Sequence, residues 1–372
     1  MTAKSEDMDK AMSLSIPLRR NCEFDLLALG ECMIRMSPPG HQRIELTPHF
    51  EAYAGGGEYN VAYALSRYGL RTGWISRLAE NPLGHFILNH ARASGMDTSE
   101  IVWVAYDGVG RCDRVGLNFT EVGIGVRPSL SLYDRGHTAV SSMKPGEIEW
   151  ERIFKERKSK WFHTGGIFPA LSSTCAAVAV EAVQAAHKAR TIVSFDLNFR
   201  GKLWSSRVAI ETMRQLMPFI DVLIGNEEDF QKMLGFVVDG TDENLNKLPV
   251  EGYKRMVKKV VRAYPHLKAV GTTLREVVSG LRNNWQAILF IDGKFYQSRK
   301  YENLEIEDRV GGGDGFCSGL IYGMLCGMAP SECVEMGAAH GALLQSTRGD
   351  TSMVTLDEIK HVMGGGSARI RR

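Results

Sequence analysis

No stretch of this 372-residue chain is long and apolar enough to span a membrane; the segment 316–329 comes nearest but is short and broken by Gly319, Gly323 and Gly327. Cysteine is sparse. The seven cysteines (22, 32, 112, 175, 317, 326, 333) are odd in number, scattered and without a C-x-x-C pair, which argues against a disulfide framework or a zinc site and fits reduced thiols in a cytosol. Charge of one sign is lacking too: 45 Lys+Arg against 43 Asp+Glu leaves +2, so there is no basic surplus to recommend nucleic acid, and any anion site must be local. Residues 1–22 lack the apolar core of a secretory signal, and Glu6, Asp7 and Asp9 argue against a transit peptide. No internal repeat or low-complexity segment is evident. A Walker-type loop is missing as well, because neither Gly201-Lys202 nor Gly293-Lys294 stands in the required G-K-[ST] setting.

What is present is glycine in two clusters. The stretch 308–328, DRVGGGDGFCSGLIYGMLCGM, opens with Gly311, Gly312 and Gly313, then Asp314, then apolar residues at helical spacing. Three residues without Cβ let several amide N–H groups point into one space, and a helix starting there adds the positive end of its dipole. That field favours an ionised carboxylate at Asp314. A charged carboxylate beside an anion cradle is what transfer of a phosphoryl group to an alcohol requires. Ordinary helix capping is the alternative reading. The dinucleotide pattern G-x-G-x-x-G fails, since Phe316 stands where its last glycine belongs. Gly55, Gly56 and Gly57 form the second cluster and open another helix, with Asn60 in its first turn.

Around these clusters the chain alternates. The apolar run 24–30 (FDLLALG) reads as a buried parallel strand, with Glu31 and Arg35 just past its end, facing a ligand crevice or forming a surface ion pair. Strands are expected at 73–78, 161–164, 191–196, 222–224 and 269–273. Helices are expected near 82–94, 172–188, 206–217, 227–234, 250–263, 331–346 and 355–363, and a hairpin around Asp292-Gly293. Segments 41–54 and 100–143 are β-like without helical period, which predicts a small sheet acting as a lid that excludes water.

These residues resemble a known family. DRVGGGDGF resembles the D-T-x-G-A-G-D-x-F signature of the PfkB/ribokinase carbohydrate kinases, and GGGEYN their G-G-x-x-N motif. GECMIRMSP, YDRGHTA, DLNFRGKLW, GNEEDF, TLREV and RVGGGD, in order over roughly 24–360, resemble the 2-keto-3-deoxygluconate kinases within it. The resemblance implies a ribokinase-like three-layer α/β/α sandwich with a mostly parallel central sheet and a small β-sheet lid. It implies a domain over 23–364 with loose tails at 1–22 and 365–372, a cytoplasmic location, ATP and Mg2+ as cofactors, and a homodimer through the lid, with neither nucleic acid nor membrane as partner.

Residue by residue, it makes Asp314 the base and Gly311, Gly312 and Gly313 the anion hole. Glu31, Gly55, Gly56, Asn60, Tyr133, Arg135, Arg200 and Asp350 would meet the sugar acid, and Asn198, Asn226, Thr273 and Arg275 would lie along the nucleotide. A substrate carboxylate needs a guanidinium fork once desolvated, which suits Arg135 and Arg200. Ion pairing for the arginines and lid packing for Tyr133 are the alternatives. Two departures stand out. The family's N-x-x-E reads Asn226-Glu227-Glu228-Asp229, so metal contact would pass through Glu228 or, by way of water, Asp229. Gly315 replaces the usual Ser or Ala, which would loosen the helix start. A kinase of another sugar (2-keto-3-deoxygalactonate or fructose) and a non-catalytic paralogue acting as a binding module are the competing readings.

Overall fold

The computed structural model describes residues 16–236 and 250–366. In chain order the first half runs β1 (Phe24–Leu29), β2 (Met33–Ser37), β3 (Glu51–Gly55), α1 (Gly57–Arg67), β4 (Thr72–Ala79), α2 (Pro82–Ala93), β5 (Ile101–Val104), β6 (Leu117–Glu121), β7 (Leu130–Asp134) and β8 (Ser159–Gly165). It continues with α3 (Ile167–Ala170), α4 (Ser173–Lys188), β9 (Ile192–Asp196), α5 (Ser206–Leu216), β10 (Val222–Gly225), α6 (Glu227–Leu234) and α7 (Val250–Ala263). The last part is β11 (Ala269–Ser279), β12 (Arg282–Ile291), β13 (Lys294–Gln297), β14 (Tyr301–Glu305), α8 (Gly312–Leu325), α9 (Pro330–Leu344) and α10 (Leu356–Met363).

Ten strands form the large sheet in the order β13-β12-β11-β10-β9-β8-β1-β4-β5, with β14 beside β12. From β5 to β11 all pairings are parallel, and the hairpin strands that follow are antiparallel. Such a sheet must be covered on both faces, and β1 shows how its sequence meets that demand. Leu26 and Ala28 join the core under α1, α2, α8, α9 and α10, whereas Leu27 and Leu29 join the core under α4–α7. All four are fully buried, and burying each leucine is worth roughly 1.5–3 kcal/mol relative to exposure. The chain winds to β4 on one side of β1 and β8 lies on the other, so a crevice opens at the carboxyl end of β1.

The second sheet has four strands, β3-β2-β6-β7. Its membership corrects the sequence expectation. β5 pairs in parallel with β4 at the edge of the large sheet, and β2 takes its place as a central strand of the small one. Only Gly30, Glu31 and Cys32 separate β1 from β2, and nothing in their composition marks the change of sheet. Within 41–54 only β3 is a strand, because Ile44–Leu46 turns as a short 3-10 segment. Residues 16–22, expected to be loose, pack on the domain: Ile16 and Cys22 are buried and Arg19 donates to the Phe154 carbonyl at 2.6 Å. The tail expectations for 1–15 and 367–372 lie outside the described residues. β11 and β12 also extend beyond the apolar cores of their segments, into a hairpin arm whose residues Arg275–Val278 are exposed. Without an apolar face, that arm has no periodic signal to read.

Candidate functional site

The carboxyl ends of β1, β8, β9, β10 and β11, the start of α8 and the inner face of the small sheet enclose one cleft of about 600 Å3. Every residue that the resemblance assigns to the site lines it. Gly55, Gly56 and Asn60 come from the β3–α1 turn, Tyr133 and Arg135 from β7 and just beyond, and Asn198 and Arg200 from the loop after β9. Asn226, Glu228 and Asp229 come from the start of α6, Thr273 and Arg275 from β11, Gly311–Asp314 from the start of α8, and Glu31 and Asp350 from flanking loops.

The α8 start is built as the glycines demand. Gly311 caps the helix with φ 86°, in the left-handed region that disfavours a Cβ. A Cβ on Gly313 would meet nothing within 4 Å, and the residue is exposed to the cleft. Asp314 follows in the first turn, and its Oδ2 accepts from Asn60 Nδ2 at 2.7 Å. Asn60 is itself held by α1, its Oδ1 accepting from the Gly56 N–H at 3.2 Å. The expected ionised state of Asp314 is opposed by its burial. Burial raises its carboxyl to about 7, although the Asn60 hydrogen bond and the Arg200 charge both pull it down. Burial is the largest influence on that carboxyl. Gly315 has a packing role in the helix start. A Cβ there would sit 3.1 Å from Gly341 Cα, so glycine is what lets α9 close against α8.

The arginines divide into engaged and open. Arg135 donates to Glu31 through Nε at 3.1 Å and again through Nη2, while Thr138 Oγ1 donates to the other Glu31 oxygen at 2.8 Å. Glu31 therefore holds Arg135 in place instead of presenting a free carboxylate. Arg200 donates only to its neighbour's carbonyl, Phe199 O, at 3.0 Å, and no ion pair engages it among the described residues. Arg35, expected beside Glu31 at the crevice, is instead 1% exposed and ion-paired to Asp308 and Asp350. Asp350 borders the cleft, but its Oδ2 accepts from Arg35 Nε at 2.7 Å. Asp229 closes a capping box with Asn226, its Oδ2 accepting from the Asn226 N–H at 3.0 Å and its Oδ1 from the Phe199 N–H at 2.8 Å. Glu228 is exposed at the cleft's edge.

This arrangement puts a buried carboxyl, a glycine-rich helix start and the side chains of Arg135, Arg200, Arg275 and Arg309 in one cleft. A scan for homology decides what it belongs to: the chain matches the pfkB family of carbohydrate kinases over residues 24–356. It is a member of that family. The kinase, a phosphotransferase, is 37% identical to a solved 2-dehydro-3-deoxygluconokinase of Thermotoga maritima, with TM-score 0.85 over 91% of this chain and 99% of that one. It is 32% identical to a 2-dehydro-3-deoxygalactonokinase of Haloferax volcanii over 94% of this chain and 99% of that protein. It also shares the fold of an E. coli structure described as ribokinase II with ATP and Mg2+, at 17% identity and TM-score 0.72 over 92% and 99% of the two chains.

Sequence reasoning passed over several residues in or behind the cleft of this kinase. Arg309 is pinned by Nε to the Gly280 carbonyl at 2.8 Å and lies beside Arg275; it stands where the family signature has threonine, a departure visible in the motif. Asp196 ends β9 with its carboxyl raised by burial and by the neighbouring Asp229, Asp314 and Glu58 charges. Glu58, in the first turn of α1, is pushed to about 8 by burial, in a niche that exists because Gly30 and Gly165 lack Cβ. Nothing in its local sequence marks Glu58 as inward-facing. Among the described residues no helix is long and apolar enough to cross a membrane.

Proposed function

We propose that this kinase transfers the γ-phosphoryl group of ATP to the terminal hydroxyl of a 2-keto-3-deoxy sugar acid, 2-keto-3-deoxygluconate above all, giving the 6-phosphate. The observation that carries it is one cleft holding Asp314 steadied by Asn60, the open Gly311–Gly313 amides, and an Arg200 without a carboxylate partner. Two relatives above 30% identity act, by their names, on sugar acids, which supports the carboxylate role of Arg200.

In this reading the sugar hydroxyl lies against Asp314, which takes its proton as the oxygen attacks the γ-phosphorus. The Gly311, Gly312 and Gly313 amides face the charge on the transferring group, so their dipoles are already oriented when it develops. Arg200 holds the sugar carboxylate, and Gly55, Gly56, Tyr133 and Asp350 border the sugar. Arg135, braced by Glu31, covers it from the small sheet. Asn198, Asn226, Thr273 and Arg275 lie along the nucleotide. Mg2+ would offset phosphate charge. Among the described residues no three metal-ligating side chains converge. That suits an ion held mainly by phosphate oxygens and waters, with Glu228 as its one direct carboxylate and Asp229 reached through water.

A panel of sugars in a coupled ADP assay tests the substrate. Turnover on 2-keto-3-deoxygluconate should exceed that on fructose by roughly 10³-fold in kcat/KM, the effect of one unpaired buried charge. Preference for 2-keto-3-deoxygalactonate would name the epimer instead, and preference for fructose would end the sugar-acid reading. A homodimer through the small sheet belongs to the same proposal. β7 is an edge strand, and Leu130, Leu132 and Tyr133 are exposed on it. Light scattering should give twice the chain mass; a monomer at micromolar concentration would remove the dimer.

A further inference from the structure

We infer that Arg35 is a positioning residue for phosphoryl transfer, clamping the Gly311–Gly313 loop to the root of the small sheet through the two buried carboxylates Asp308 and Asp350. The inference rests on the proposed role of that loop as the anion hole. Three successive glycines have no side chains with which to anchor themselves, yet an anion hole works only if its amides are already in place. The anchorage must come from outside the loop.

Arg35 supplies it from the middle of β2. Its Nη2 donates to Asp308 Oδ2 at 2.6 Å and its Nε to Asp350 Oδ2 at 2.7 Å. Asp308 passes the restraint on, because its Oδ1 accepts from the N–H of Val310, the residue before Gly311, at 3.2 Å. Asp350 does so by packing. Its carbonyl oxygen lies 2.9 Å from where a Cβ on Gly311 would stand, and its own Cβ lies 2.4 Å from where one on Gly55 would stand. Gly55 ends β3, and Tyr53 pairs in register with Arg35 on that strand, its ring centroid 5.0 Å from the guanidinium carbon. The small sheet and the anion loop thus share one planar cation. A guanidinium fork fixes the spacing of two carboxylates, which an ammonium cannot do. Without it, two like charges would face each other in a buried space.

The test separates positioning from mere stability. Arg35→Ala should lower kcat by about 30-fold while KM for sugar acid and for ATP each stay within about threefold, as displacement of preorganised groups does. Millimolar guanidinium chloride should recover about fivefold of that loss, and sodium chloride at equal ionic strength none, because the planar fork matches two carboxylates. Wild-type kcat in the folded variant, or no recovery by guanidinium, overturns the inference. If Arg35→Ala does not fold, Arg35→Lys decides: one ammonium satisfies one carboxylate, so kcat should fall about tenfold, and an unchanged kcat overturns the clamp. Asp314→Asn is measured alongside. An inactive Asp314→Asn beside fully active Arg35 variants removes the clamp alone, whereas an active Asp314→Asn removes the base and leaves the Arg35 comparison standing.

Discussion

Asp314→Asn is expected to lower kcat by about 10³–10⁴-fold while ATP affinity stays within about twofold, the loss typical of removing a general base. Asparagine has the shape of aspartate, and its Oδ1 can still accept from Asn60 Nδ2, the bond that now measures 2.7 Å. What disappears is the capacity to take a proton. The coupled ADP assay gives the first quantity and calorimetric ATP titration the second; turnover near wild type would remove the base assignment. The wild-type pH profile gives an independent check. Because the base acts deprotonated and its carboxyl is pushed up to about 7, kcat/KM should rise as pH passes through about 7. Stability should move the other way. Below the ordinary value of 3.8 both folded and unfolded chains hold the proton, and between there and about 7 only the folded chain does. Stability contributed by this group therefore falls as pH rises across that window. The asparagine variant should be more thermostable than wild type above pH 7 and indistinguishable from it near pH 4.

Arg200→Ala is expected to lower kcat/KM for the sugar acid by about 300-fold, chiefly through KM, and for a neutral sugar by less than about threefold. The asymmetry follows from what the side chain already touches. Arg135 is engaged by Glu31 on the wall of the cleft, so its loss would first release Glu31. Among the described residues Arg200 hydrogen-bonds only a backbone carbonyl and forms no ion pair, which leaves its guanidinium open to a substrate carboxylate. Removing it would leave that carboxylate desolvated and unpaired, which costs far more than losing a surface ion pair. Steady-state kinetics on 2-keto-3-deoxygluconate and fructose measure the contrast, and equal losses on both would take the carboxylate role away from Arg200.

Much of this site was legible because its chemistry is carried by backbone and by local order. A run of three glycines before an acidic helix start means nearly the same thing in any fold, since the missing Cβ atoms and the helix dipole act over a few residues. Asn60 was legible for the same reason, and its position four residues after Gly56 lets it tie the turn to the helix. The partners of the long side chains were not legible. Whether Arg35 faces the crevice or the interior depends on β2 leaving the large sheet, a matter of strand tilt and pairing with β3 and β6. The protonation of Asp314 depends on how much water the folded cleft excludes.

The amino-acid order alone determined the alternation of strands and helices, the two glycine-started helices and the carboxylate beside the amides, because these arise from contacts between residues close in the chain. Only the tertiary structure decided that Arg35 joins Asp308 and Asp350, that Glu31 braces Arg135, that β2 lies in the small sheet, and that β5 lies in the large one, against its β-like surroundings. Pairs such as Arg35 and Asp350 are 315 residues apart, and an ion pair across that distance exists only once both strands have found their neighbours.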